Sequence, residues 1–383
     1  MVDYYGIEEL LTDEERLIRD VAREFVDKEV LPIIAQHFRE GTFPLHLVKR
    51  MGDLGFLGAN LTGDGHAGVS PIAFGLLMQE LERGDSGIRS FVSVQSCIGM
   101  LAISTFGSEA QKARWLPALV SGEKIVCFAL TEPDHGSDPA SMKTKAVKTQ
   151  RGYLLNGTKL WITSGSIADV AVVWAKLDGK VRGFLVEKGT PGFQARDIKG
   201  KLSQRASVTS ELSFQDCEIP EENLLEKTQG LRSTLACLSG GRYGISWGAV
   251  GAAQACYEAA LDYTKSRIQF GRPIASFQLV QEKLVFMLSG ITKGQLLSYR
   301  LGQLKAEGKD TPAQASLAKR ENVRMALEVA RVARELLAAN GIVDEYPVMR
   351  HLCNLESTYT LEGTHHIQTL IVGRDITGLS AFT

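Results

Sequence analysis

The chain has 383 residues, with 43 Lys and Arg against 44 Asp and Glu. That length exceeds one ordinary compact core and points to two or three domains. A net charge of −1 excludes the clustered excess of Lys and Arg that a nucleic-acid surface needs. No apolar run of 18 residues stands out, and residues 1–6 show neither a signal-peptide core nor an Arg-rich transit pattern. The expectation is a soluble intracellular protein without a membrane span, cytoplasmic in a bacterium or mitochondrial-matrix-like.

The stretch 12–122 carries a helical pattern. Thr12 and Glu15 form a capping box, followed by an apolar stripe of Leu17, Ile18, Val21 and Phe25. Within it, Gly63-Asp64-Gly65-His66-Ala67-Gly68 matches G-x-G-x-x-G, with Glu82 near the distance of a ribose-binding acid. That fingerprint requires a buried strand before it, whereas 47–54 looks helical, so the segment reads as a flexible loop and not a dinucleotide site. From 124 to 225 the runs are short and β-rich: 126–130, 160–163, 170–174 and 183–186, with a hairpin signal at Asp178-Gly179. This middle part reads as a small antiparallel barrel or sandwich. From 231 onward helical stretches recur near 231–265, 277–307, 312–339 and 347–372, broken at Gly271-Arg272-Pro273 and Lys309-Asp310-Thr311-Pro312, and suggest an antiparallel four-helix bundle. The expected class is α+β, mostly α, with an N-terminal all-α domain over 1–123, a middle β domain over 124–228 and a C-terminal bundle over 229–383.

Three segments carry candidate chemistry. In Tyr359-Thr360-Leu361-Glu362-Gly363-Thr364-His365-His366-Ile367-Gln368, Glu362 is the one acid in an otherwise uncharged turn of an expected helix. Burial away from cations raises such a carboxyl towards the range of a general base for a weak carbon acid; the alternative is a helix-surface or capping residue. The loop 128–138 offers the Thr131 and Ser137 hydroxyls and backbone N–H groups to carbonyl or phosphate oxygens. In 156–164, Trp161 stands beside hydroxyls, a pairing that suits a flat aromatic cofactor, unless Trp161 is simply core. The six cysteines (Cys97, Cys127, Cys217, Cys237, Cys256, Cys353) include no C-x-x-C pair and read as reduced, buried thiols. The seven histidines have no metal spacing, since the adjacent His365 and His366 would point about 100° apart on a helix.

Taken together these residues resemble the acyl-CoA dehydrogenase family of FAD enzymes over essentially the whole chain. Further support comes from Arg267-Ile268-Gln269-Phe270-Gly271-Arg272-Pro273-Ile274 followed by Phe277-Gln278, from 201–209 with Arg205 and Ser207, from Asn340-Gly341 before Glu345-Tyr346-Pro347, and from Glu362-Gly363-Thr364 with Arg374. The resemblance implies a homotetramer with FAD between the β domain and the bundle. Phe128, Leu130, Thr131 and Gly136 would line one edge of the isoalloxazine, with Trp161, Ile162 and Thr163 against the ring and its N5 side. Arg267, Phe270 and Gln278 would hold the pyrophosphate and adenine ends, partly from a neighbouring subunit, and Thr364 and His366 would lie beyond the catalytic turn. For Phe270 and Leu130 a place in a core is the alternative. Ser137 and Arg242 match positions that contact the CoA part of the substrate.

Glu362 would then be the base that takes the α-proton, while its own N–H and a ribityl hydroxyl bind the thioester carbonyl. Some relatives carry the base immediately before the residue equivalent to Arg242; here that position is Gly241. Where a glutamine followed by Gly-Gly commonly faces the neighbouring FAD, this chain has Glu335 and Ala338-Ala339. The stretch 82–96 is most similar to the glutaryl-CoA dehydrogenase branch, in which Arg89 would pair with the substrate γ-carboxylate, assisted by Ser93, beside Glu82. A surface Arg89 paired with Glu82 is the alternative. The branch usually places tyrosine before the base, and here it is Leu361. The implied acceptor is electron-transfer flavoprotein. An oxidase is disfavoured because the chain ends at Thr383 soon after Arg374, and a non-catalytic scaffold is disfavoured by Glu362.

Overall fold

A computed structural model describes residues 3–63, 66 and 68–381. The first helix, α1 (Asp13–Phe25), opens on the expected capping box: the Glu15 N–H donates to Thr12 Oγ1 at 3.2 Å and the Thr12 N–H to Glu15 Oε2 at 2.9 Å. Phe25 is buried, but Leu17 of the expected stripe is solvent-exposed, because the core lies on the Ala22–Phe25 side. The chain continues through α2 (Leu31–Glu40), α3 (Leu47–Asp53), α4 (Pro71–Gly84), α5 (Ser86–Val92), a π-helical segment (Ser93–Met100), α6 (Leu101–Phe106) and α7 (Glu109–Val120). Of the G-x-G-x-x-G match, Asp64, Gly65 and Ala67 lie outside the described residues, and the element before it is helix α3. The helical run 86–106 is long and apolar enough, by length and composition, to cross a membrane, contrary to the sequence expectation. It is almost wholly buried inside the protein, and Arg89 is its one charged residue.

The middle part is one seven-stranded sheet: β1 (Val126–Ala129), β2 (Lys145–Thr149), β3 (Gly152–Thr163), β4 (Val170–Leu177), β5 (Lys180–Glu187), β6 (Phe193–Asp197) and β7 (Thr209–Pro220). Its order is β1-β4-β2-β3-β7-β6, with β5 alongside β4. The Asp178-Gly179 hairpin forms as its residues signal, both at positive φ (49° and 76°). The sheet is mixed, however, since β4 pairs in parallel with β1 and β2. Non-local parallel pairing leaves no mark on a short apolar run, so an antiparallel reading was the natural one.

The C-terminal part comprises α8 (Leu231–Ser266), a small hairpin of β8 (Ile268–Gln269) and β9 (Arg272–Pro273), then α9 (Gln278–Ala306), α10 (Pro312–Leu336), α11 (Pro347–Thr360) and α12 (His365–Thr377). The single helix expected over 347–372 is two helices. Glu362 (φ 52°) and Gly363 (φ 97°) leave the right-handed region, and Thr364 caps α12 by accepting the Ile367 N–H at 3.2 Å. One apolar core joins the N-terminal helices, the sheet and the first half of α8 through Cys237, Tyr243 and Trp247. A second lies among the rest of α8 and α9 to α11. Helix α8 therefore serves both cores. All six cysteines are free; Cys97 and Cys127 are buried and their thiols pushed up to about 12 by that burial.

Candidate active site

The turn between α11 and α12 presents its carbonyls to three buried side chains. Lys319 Nζ on α10 donates to Leu361 O (2.9 Å) and Gly363 O (2.8 Å). Arg242 Nε on α8 donates to Glu362 O (3.1 Å), and Gln368 Nε2 on α12 to Glu362 O (3.1 Å) and Gly363 O (2.9 Å). These bonds hold Glu362 in a left-handed conformation that costs an ordinary residue about 1–2 kcal/mol. Glu362 Oε2 is shut off from solvent and makes no hydrogen bond with the described residues. Burial pushes this carboxyl up, against the pull of Arg89, Lys319, Arg242 and the Ser93 hydroxyl. Lys319 is itself pushed down to about 7 by burial, with Glu362 opposing the fall. Gly241 makes room for the Glu362 carboxylate, because a Cβ there would stand 1.9 Å from Glu362 Oε2.

Arg89 on α5 and Glu82 on α4 are both fully buried, joined by Nε–Oε2 at 2.6 Å and Nη2–Oε1 at 3.4 Å. The pair exists, but it is not on the surface. Burial opposes the Arg89 charge, and Glu82 and then Glu362 more than offset it. Gly248 leaves space for the pair, since a Cβ there would meet Glu82 Oε2 at 1.9 Å. Ser93, in the next turn, faces Glu362 and Cys97, and its buried hydroxyl has no partner in good hydrogen-bond geometry. Glu362, Arg89 and Ser93 thus share one interior region between α5, α8 and α10.

The cofactor candidates of the middle part cluster at one end of the sheet. The Leu160 N–H donates to Thr131 O (2.8 Å), which brings the end of β1 to β3. Beneath them Lys159 Nζ donates to Leu130 O and Glu132 Oε1, each at 2.9 Å. Burial works against the Glu132 charge, but the Lys143 and Thr144 N–H groups and Lys159 lower its carboxyl to about 2; Lys159 is lowered to about 8 by its own burial. Phe128, Leu130 and Ile162 are buried and Thr163 half-buried. Trp161 is not core: it is 58% exposed, at φ 62°, where a register shift between β3 and β7 turns it outward. Gly136 and Ser137 are exposed beyond the turn in which Glu132 and His135 exchange backbone hydrogen bonds.

The ring-shaped part of FAD fits this end of the sheet. An uncovered indole stands beside accessible Thr131 and Thr163 hydroxyls that make no hydrogen bond with the described residues. Arg267 and Gln278 are exposed on either side of the β8–β9 hairpin, and Phe270 at its tip is 93% exposed, which rules out a core role. His366 is exposed on α12, next to the capping Thr364. Glu335 pairs with Lys283, and Ala338 sits at φ 51°.

The loop 198–208 ties these regions together. Ser164 N–H donates to Val208 O (3.0 Å), Gln204 N–H to Asn354 Oδ1 (2.7 Å), Ser357 N–H to Ser203 Oγ (3.2 Å) and Arg205 Nε to Phe38 O (2.7 Å). Sequence reasoning missed Lys319, Gln368, Gly248 and this loop's bridging role. Lys319 did carry a signal: its spacing from Ala315, Asn322, Val323 and Ala326 puts it on the buried face of α10.

The chain is similar to known proteins over nearly its whole length. Residues 12–123, 127–217 and 228–377 match the family models for the N-terminal, middle and C-terminal domains of acyl-CoA dehydrogenase. A crystal structure of a glutaryl-CoA dehydrogenase from Mycobacterium smegmatis is 52% identical, with a TM-score of 0.97 and coverage of 99% of this chain and 98% of that one. A second, from the same organism and in complex with FADH2, is 47% identical, with TM-score 0.97 and the same coverage. The mitochondrial short-chain specific acyl-CoA dehydrogenase of Rattus norvegicus is 35% identical over 376 residues, 96% of this chain and 91% of that protein. The chain belongs to the acyl-CoA dehydrogenase family, FAD-dependent oxidoreductases acting on CH–CH bonds.

Proposed function

We propose that the substrate is glutaryl-CoA, which is dehydrogenated and then decarboxylated to crotonyl-CoA and CO2, with the electrons passing on to electron-transfer flavoprotein. The observation that carries this reading is a fully buried arginine, Arg89, in the region that holds the base. Burying a guanidinium is costly, and one carboxylate, Glu82, already neutralises it; a second carboxylate on the substrate can share its fork while Ser93 assists. FAD supplies the acceptor for the β-hydride. Glu362 removes the α-proton, and the carbonyl oxygen takes the developing charge against the Glu362 N–H. When the γ-carboxylate leaves as CO2, the electron pair of the broken bond enters the conjugated thioester, and the proton held on Glu362 returns to the terminal carbon. Ser137, exposed on the 131–138 loop, is proposed to meet the CoA part, and Arg242 to hold the turn from beneath. Trp161, Thr131 and Thr163 are proposed to meet the flavin, and Arg267, Phe270 and Gln278 the far end of FAD across a homotetramer interface.

Leu361 favours a second reading. It offers no phenol beside the reacting carbons, which supports dehydrogenation that stops at glutaconyl-CoA. Anaerobic titration of the yellow protein with glutaryl-CoA and butyryl-CoA, followed by product analysis, separates these readings. Bleaching by glutaryl-CoA at lower concentration, with crotonyl-CoA formed, is expected; glutaconyl-CoA alone establishes the second reading. A preference for butyryl-CoA makes the protein a generic short-chain acyl-CoA dehydrogenase. The double variant Glu82→Gln/Arg89→Gln, which leaves no lone buried charge, is expected to lose glutaryl-CoA turnover by about 100-fold or more while butyryl-CoA turnover changes little. Equal losses on both substrates would remove Arg89 from recognition.

A further inference from the structure

In the proposed reaction Glu362 acts twice, through its carboxylate as base and through its N–H as a donor to the thioester, and that N–H has to be aimed. In a trans peptide the C=O and N–H point in opposite directions. Lys319 Nζ lies 2.9 Å from Leu361 O, the oxygen of the peptide whose nitrogen belongs to Glu362. A carbonyl drawn towards α10 therefore turns the Glu362 N–H away from α10. Among the described residues nothing accepts from that N–H. The same amine holds Gly363 O at 2.8 Å, so the two peptides flanking the central one are fixed from a single point. The central carbonyl, Glu362 O, is taken by Arg242 and Gln368. Lys319 is 1% exposed, and among the described residues it forms no ion pair and both of its hydrogen bonds go to this turn. A lysine buried only to cap two carbonyls is a costly way to end a helix, which argues for a purpose in the turn itself.

We infer that Lys319 is a positioning residue for thioester activation: its amine fixes and polarises the Leu361–Glu362 peptide so that the Glu362 N–H is a pre-aimed, strengthened donor to the substrate carbonyl oxygen. A hydrogen bond accepted by the C=O of a peptide makes its N–H a better donor, more so when the partner carries charge. Lys319 donates to the carbonyls of the turn and reaches the Glu362 carboxyl through its charge, so its effect on the donor N–H is read in how well the site stabilises an enolate. The inference rests on the proposed acyl-CoA dehydrogenation at Glu362, but it does not depend on which acyl chain is used.

The test uses FAD-loaded enzyme and acetoacetyl-CoA, whose enolate is followed by its own absorbance while bound, against Lys319→Met and Lys319→Gln. The parent is expected to lower the apparent pKa of bound acetoacetyl-CoA well below its solution value. In Lys319→Met that lowering should shrink by about one unit per occupied site, a tenfold loss of enolate stabilisation, with Lys319→Gln in between. In turnover, kcat should fall about tenfold with KM little changed. A purely structural lysine would lower FAD content or melting temperature and leave the ionisation per occupied site as in the parent; that result overturns the inference. If Lys319→Met does not fold, Lys319→Gln alone decides on the same criterion. A parent enzyme that leaves acetoacetyl-CoA as in solution would overturn the thioester-activation reading itself, a different result from equal ionisation in parent and variant.

Discussion

Replacing Gly241 by alanine tests, with a single methyl group, whether the Glu362 carboxylate works as the proposed base from where it stands. The added carbon would stand 1.9 Å from Glu362 Oε2, 2.6 Å from its Cδ and 2.9 Å from Oε1. Ordinary contact begins at 3.4 Å, so the carboxylate has to withdraw by the difference between 3.4 and 1.9, about 1.5 Å. The carboxylate can withdraw by rotating its flexible side chain, while the backbone of the turn behind it stays held by Lys319, Arg242 and Gln368. Helix α8 itself tolerates the change, since alanine is the better helix former by about 0.5–1 kcal/mol. A misplacement of about 1 Å at a reacting group costs on the order of 100-fold in rate, so flavin bleaching by saturating glutaryl-CoA in an anaerobic stopped-flow experiment should slow by at least that factor. FAD content and melting temperature should stay near those of the parent. A bleaching rate within about threefold of the parent would show that the carboxylate does not work from the place described, because the methyl could be accommodated only by moving it.

Ala338→Gly relieves a left-handed alanine (φ 51°) that costs about 1–2 kcal/mol, partly cancelled by about 0.4–1 kcal/mol of extra freedom in the unfolded chain. Denaturant unfolding of the FAD-loaded protein should show a gain of about 0.5–1 kcal/mol, and a loss would mean that the backbone there is not left-handed. Glu362→Gln should keep FAD and abolish bleaching, and should also change how stability depends on pH. Burial raises the Glu362 pKa above its ordinary value of 4.5, so the stability tied to its bound proton is full below that value and is lost as pH rises through the raised one. The melting temperature of the variant relative to the parent should therefore rise on going from about pH 4 to about pH 8, and a difference constant across that range would refute burial as the cause.

Local signals in the sequence led to the right structure where the physics is local. The Thr12–Glu15 box and the Asp178-Gly179 turn depend only on residues within four positions, and both form. The parallel partners of β4 and the burial of the Arg89–Glu82 pair depend on segments far apart in the chain, which no window along it can register. The break at 361–364 was marked only by Gly363. Apolar residues recur on both sides of it, at Tyr359, Leu361, Ile367, Leu370 and Ile371, so one helix was expected where there are two. Glu362 is the lone acid of its turn, but it is not buried away from cations: Arg89, Lys319 and Arg242 all act on it, and the three donors that shape its turn come from three different helices. Trp161 shows the reverse: a residue read as stacking surface or core stands outward through a bulge whose cause lies in the register with β7.

The 198–208 loop has a consequence for how substrate can enter. It is bonded at once to β3, to α11 and to the end of α2, while Asp85, Arg350 and Asn354 form a buried polar cluster close by, with Arg350 Nη1 at 2.5 Å and Asn354 Nδ2 at 2.9 Å from Asp85 Oδ2. Swinging any one region open would strip several buried polar groups of their partners together, at about 1–3 kcal/mol for each neutral group and more for the charged ones. Large-scale breathing is thus a poor gate. An acyl chain that reaches Glu362 is therefore expected to do so with the ties between α2, α11 and the sheet intact.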